Sequence, residues 1–247
     1  MQRLAQSTIS VVTGCWADYL GCASEHFQSN LTLAVPHLGI GEYHGVFVFR
    51  LGESVVASVP PPLLSTLGPR LKQLDAVSLV PEACIRLVGE AVVERVIGPA
   101  SYAYADVTSL QPIASPGVRL LTLDDASLLE HLRLACSEAD WKEAGGQTID
   151  LPLVGQFIGG QLIAVAGYHV WWGCLAHIGV IVHPAERGQG YGKAVAGRLV
   201  EVAVSRDLVP QYRALEVNRA SIGIATALGF EQCATSIALR LKPAPVA

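Results

Sequence analysis

The stretch Ile178-Gly179-Val180-Ile181-Val182-His183-Pro184-Ala185-Glu186-Arg187-Gly188-Gln189-Gly190-Tyr191-Gly192-Lys193 changes character three times. A β-branched run reads as a strand, Pro184 marks a turn, and a glycine-rich loop opens an amphipathic helix over residues 190–205. Val195, Leu199 and Val202 form the inner face of that helix, with Arg198, Glu201 and Arg206 mostly outside it. Glycines at 188, 190 and 192 remove side chains that would keep an anion from the backbone. The first N–H groups of a helix lack internal partners and lie at the positive end of its dipole. Such a loop suits a phosphate or pyrophosphate.

Two nucleotide fingerprints fail here. A Walker loop requires glycine where Arg187 stands and Ser or Thr where Ala194 stands. A dinucleotide fingerprint requires its third glycine at Lys193. The pattern that fits is [RQ]-x-x-G-x-[GA], met by Arg187, Gly190 and Gly192. Some thirty residues on, past another strand, come Asn218-Arg219-Ala220-Ser221 and then Leu228-Gly229-Phe230. With these elements in this order, residues 117–241 resemble the GNAT N-acyltransferase superfamily, closest to its glycine N-acyltransferase-like branch.

The resemblance implies an acyl-CoA co-substrate, acetyl-CoA in the first instance, and no metal. It implies that Val180, Ile181 and Val182 offer backbone groups to the pantetheine amides, as a sheet edge does to an added strand. Arg187, Gly188, Gln189, Gly190, Tyr191, Gly192 and Lys193 would hold the pyrophosphate, and Asn218, supported by Ser221, the pantetheine arm. Arg187 and Lys193 are read either as charges toward the phosphates or as solvated surface residues. The acceptor implied is a primary amine of a small molecule or an amino acid. His177, at the start of the strand, is the first candidate for the base, the alternative being a structural histidine. Glu143 and Glu138 are further candidates, acting directly or through water, although carboxylates on a helix surface are commonly just solvated. His169 and Trp171-Trp172 either shape the acceptor pocket or belong to the core. The tyrosine that many members carry seven residues after the asparagine is replaced by Ala225. That departure keeps a second reading open, a non-catalytic acyl-CoA-binding sensor or scaffold.

Working outward, the C-terminal half reads β-α-α-β-β-β-α-β-α-β. Val118 to Thr122 is its first strand, and Asp124 or Asp125 caps the helix that follows. A short helix over residues 138–144 ends at Gly145-Gly146, and a hairpin joins Leu153–Phe157 to Leu162–Val170. In the N-terminal half, Val46–Leu51 and Val55–Val59 flank Gly52-Glu53-Ser54 as a hairpin. Pro60-Pro61-Pro62 leads into a helix over Leu63–Leu74, and a second helix runs over Pro81–Val93. A strand ends near Asp106. The segment SLQPIASPG over residues 109–117 has linker composition.

The expected fold class is therefore α/β (α+β with a mixed sheet), a tandem of two GNAT-like domains. Residues 1–110 would be a degenerate copy, 111–117 a linker, and 118–247 the functional acetyltransferase domain. The N-terminal copy would roof the acceptor side, with Glu42, Tyr43 and His44 within reach of the acceptor.

Composition bounds the rest. Hydrophobic residues make up 51% and charged residues 15% of 247, which supplies a core and argues against disorder. A formal charge of −4 with no basic cluster argues against nucleic-acid binding. Cys15, Cys22, Cys84, Cys136, Cys174 and Cys233 are dispersed, without the C-x-x-C spacing of a zinc or redox site. No signal peptide and no apolar run of spanning length are read, so a cytoplasmic protein without membrane contact is expected. Monomer and homodimer both remain open.

Overall fold

The computed structural model describes residues 4–77, 79–144 and 152–243. The expected helix stop at Gly145-Gly146 lies outside these residues. In chain order the elements are α1 (Gln6–Leu20), β1 (Thr32–Pro36), β2 (Gly45–Leu51), β3 (Ser54–Val59), α2 (Leu64–Leu71), α3 (Pro81–Val88) and β4 (Val93–Tyr104). There follow β5 (Val118–Leu120), α4 (Ala126–Ala135), α5 (Glu138–Glu143), β6 (Val154–Ile158), β7 (Gln161–Trp171) and β8 (Leu175–Val182). The chain closes with α6 (Tyr191–Val204), β9 (Val209–Leu215), α7 (Arg219–Ala227) and β10 (Glu231–Leu241). The C-terminal order matches the one read from the sequence.

The ten strands of the described residues form one mixed sheet in the order β1-β3-β2-β10-β4-β9-β8-β7-β6-β5. The last strand of the chain, β10, lies antiparallel between β2 and β4. The two halves of the sequence therefore share a sheet. Ile237, Leu239 and Leu241 of β10 pack into the same core as Leu67, Leu71 and Cys84 of α2 and α3. On the opposite face of the sheet, Phe49 and Val56 pack with Trp16 and Leu20 of α1. Covered on both faces, β3 is buried along its whole length and β2 along most of its own.

Several boundaries differ from expectation. The second helix stops at Val88, because Gly89 takes a positive φ of 112° and Val93 already pairs in β4. Asp125 is the N-cap residue of α4, as expected, but its side chain gives that helix no cap and instead forms a reciprocal capping box with Thr122 on the turn before it. Asp125 is buried there and bridges Arg119 at 2.7 Å. Glu42, Tyr43 and His44 do not reach the acceptor side. They precede β2, where His44 Nε2 lies 3.1 Å from the Lys242 carbonyl and Tyr43 lies beside Arg240, with β10, β4 and β9 between them and β8.

Candidate functional site

The site begins with a failure of pairing. β8 and β9 run parallel and pair only through Leu175–Val209, Ala176–Pro210 and His177–Gln211. Beyond that register β8 continues to Val182 on β7, and β9 continues to Leu215 on β4. The strands form a V with His177 and Gln211 at its vertex, and the β8 edge from Ile178 to Val182 faces the gap. A cleft of about 490 Å³ occupies the gap. Val180, Ile181, Val182, Arg187, Gly188, Gly190, Tyr191, Gly192, Lys193, Asn218 and Ser221 all line it. The structure thus gathers all the residues implied for the co-substrate except Gln189.

The loop closes one end of the cleft. Gly188 and Gly190 adopt φ of 81° and 87°, the left-handed region that disfavours side chains. Gly190 is the N-cap of α6 and brings no side-chain cap, so the first-turn N–H groups keep no partner from it. Gly192 is buried where a Cβ would press on Val182 and Ile224, at 3.1 and 3.2 Å. Arg187 is tied across the cleft: its Nη2 pairs with Asp140 Oδ1 at 2.8 Å, and its Nε donates to the Val182 carbonyl at 3.3 Å. Asp140 also closes the capping box of α5, its carboxylate accepting from the Ser137 hydroxyl at 2.7 Å and from the Ser137 N–H, and these hydrogen bonds, followed by that from Arg187, hold its carboxyl below the usual range.

The second wall is built by α5 and α7. At Gly179 an added Cβ would stand 1.8 Å from the Ala144 carbonyl oxygen, so the end of α5 rests directly on the β8 backbone. Asn218 caps α7, its Oδ1 accepting the Ser221 N–H at 3.1 Å. Its Nδ2 donates to Glu143 Oε2 at 3.4 Å, which links α7 to α5 across the mouth. Glu143 lines the cleft, whereas Glu138 does not.

Alternation along the strands sorts the remaining groups between two faces. Ile178, Val180, Val182 and Tyr212 turn toward α6 and α7. His177, Gln211 and Arg213 take the other face, below α5 and α1. The His177 ring stacks on Trp171 at 4.3 Å, and Gln211 Nε2 donates to its Nδ1 at 3.4 Å. Burial, then the Arg213 charge and His169, lower its pKa to about 4, so the ring is neutral near pH 7. His177 stands at the vertex without lining the cleft itself. Trp172 turns away to pack on Tyr19 and Trp16 of α1, so the β7–β8 turn supports the N-terminal helix.

Asp140, Glu186, Tyr212 and Arg213 are polar cleft residues that the sequence reading did not single out. An aromatic residue and an arginine in a strand resemble core and surface, and only the V exposes them. Burial raises the Tyr212 phenol well above its ordinary range, with a hydrogen bond to Ser221 partly offsetting the rise. Ala225, in the place of the familiar tyrosine, is buried against the α6 core. Among the described residues no group of three or more His, Cys, Asp or Glu is placed to hold a metal, and no helix is long and apolar enough to cross a membrane.

Residues 125–230 match the model of the acetyltransferase (GNAT) family. No curated protein matches the chain. Among solved structures, a putative GNAT-family acetyltransferase from Novosphingobium aromaticivorans is 25% identical, with 60% of this chain and 65% of that one covered at a TM-score of 0.46. A GNAT-family acetyltransferase from Colwellia psychrerythraea is 16% identical, with coverages of 64% and 62% and a TM-score of 0.48. An aminoglycoside N-acetyltransferase in complex with CoA is 21% identical, with coverages of 47% and 92% and a TM-score of 0.36. The chain spans less than two thirds of the length of the first two. The segment that holds the loop, the V and Asn218 is thus the part of the chain, residues 125–230, that is similar to the acetyltransferase (GNAT) family.

Proposed function

We propose that the protein is an acyl-CoA-dependent N-acyltransferase that transfers an acyl group, acetyl in the first instance, to a primary amine by direct attack. The observation that carries this is the coincidence of the V between β8 and β9 with an uncapped, glycine-lined helix start at its end. A pyrophosphate at the α6 N-terminus would send the pantetheine along the β8 edge, with its thioester toward the vertex. An N–H near Val180 would then polarise the carbonyl.

Transfer forms the C–N bond and breaks the C–S bond. The amine must lose a proton, and the thiolate must gain one or leave as the anion. Glu143, on the cleft wall, is the group we assign to take the amine's proton, and His177, neutral at the vertex but outside the cleft lining, would reach it only through water. Tyr212 stays protonated because its phenol is buried, and it lines the cleft, which suits it to donate to the departing thiolate. α1, docked on the β7–β8 turn, would roof the acceptor side.

Ala225 favours the second reading, an acyl-CoA binder without turnover. Thiol release from acetyl-CoA against a panel of amines separates the two. The proposal expects release with at least one amine. Stabilisation by CoA with no thiol release from any of them would leave only the binder.

A further inference from the structure

We infer that Arg213 is the acceptor-recognition residue, and that the amine it selects carries a carboxylate. The inference rests on the acyltransferase reading above and adds to it the chemical class of the acceptor.

Arg213 lines the same cleft as the glycine loop, but on β9, beside the vertex of the V. Tyr212 points to the α6 face, so Arg213 takes the opposite face, away from the side where the loop would hold the phosphates. Its position is fixed from beneath. Nε donates to the buried Tyr102 hydroxyl at 3.0 Å, and that hydroxyl also accepts from Ser236 Oγ at 3.3 Å. With Nε committed, the two terminal nitrogens form the outer end of the guanidinium, a fork that matches the two oxygens of a carboxylate. Among the described residues, no aspartate or glutamate forms an ion pair with Arg213. Arg187, by contrast, already shares its charge with Asp140.

The neighbours define the rest of the acceptor. Glu143 supplies a negative charge on the facing wall of the cleft, where an ammonium group would be drawn before it loses its proton. Gln211, two residues before Arg213 on the same face, is fully buried, and its Oε1 has no hydrogen-bond partner among the described residues. Arg213 on β9 with Glu143 across the cleft suits a small zwitterion carrying a single carboxylate. A dianionic phosphate ester would call for more positive charge than this face holds.

The test pairs each amine carboxylate with its own carboxamide, for example amino acids with amino acid amides, and measures thiol release from acetyl-CoA. Wild-type protein should prefer the carboxylate member by about 10- to 100-fold in kcat/KM, the range of a charged hydrogen-bonded contact. R213Q should erase that preference through the KM of the acceptor, R213K should restore part of it, and the KM for acetyl-CoA should not move. Tyr102→Phe, which frees Nε, should weaken the preference without abolishing it. CoA-induced thermal stabilisation equal to wild type shows that each variant is folded. Equal use of both members, or a preference unchanged in R213Q, would overturn the inference and leave the acyltransferase reading standing. If CoA binds and no amine is acylated, the acyltransferase reading fails and the inference with it.

Discussion

Replacing His177 with Phe should flatten the acid side of the stability profile. The ring's pKa is about 4 against an ordinary 6.5, because burial and then Arg213 oppose its charge. A depressed pKa means that the unfolded chain binds a proton the folded chain refuses. His177 therefore contributes fully above pH 6.5, and that contribution is lost as pH falls toward 4. At about 1.4 kcal/mol per pH unit, its share of the loss between about pH 7.5 and 5 is roughly 2 kcal/mol. Phe keeps an aromatic ring against Trp171 and removes the titration. Urea unfolding of both proteins at several pH values reads the difference directly, since carboxylates such as Asp106 and Asp140 titrate in both. Wild-type stability should fall more steeply than that of the variant, so that the two curves converge toward acid. Parallel curves would refute the buried neutral histidine, and with it the case for His177 as an uncharged base at the vertex.

Gly179→Ala should force α5 from β8, since the new Cβ would stand 1.8 Å from the Ala144 carbonyl oxygen. The expected cost is about 1–3 kcal/mol, or a fall of roughly 2–12 °C in Tm by calorimetry, together with weaker CoA binding because Glu143 moves with the helix. Trp16→Ala removes a side chain 2% exposed that stacks on Phe49 at 3.8 Å and donates to the Tyr104 hydroxyl. A loss of about 3–5 kcal/mol is expected by urea titration, with the thiol-release rate falling as well because Trp172 loses its support. Tyr212→Phe should lower kcat about 100-fold with little change in the KM for acetyl-CoA, and the effect should shrink for an acyl donor with a more acidic thiol. An unchanged kcat would remove Tyr212 as the proton donor.

The C-terminal half was legible because its punctuation is strong. Pro184 and the glycines at 188, 190 and 192 force a turn and a helix start, and Asn218 carries its own cap. The N-terminal helix was not legible. Thr8, Ile9, Val11, Val12, Thr13 and Gly14 are weak helix formers, and α1 is held by Trp16 and Leu20 against the sheet. The place of β10 between β2 and β4 is a long-range pairing that no local pattern encodes. At the site, the glycine loop and Asn218 announced the donor side through backbone requirements. The acceptor side depends on where β8 leaves β9, which decides that Tyr212 and Arg213 meet a cleft and that Glu138 does not.

The central claim is that the V between β8 and β9 receives pantetheine while the α6 N-terminus receives the pyrophosphate. Comparing CoA with adenosine 3′,5′-bisphosphate, which lacks both groups, in a thermal-shift titration tests it most directly. CoA at about 100 times its Kd should stabilise the protein by about 2.7 kcal/mol, and the bisphosphate at the same concentration far less. Equal stabilisation by the two, or none by CoA at millimolar concentration, would contradict the account.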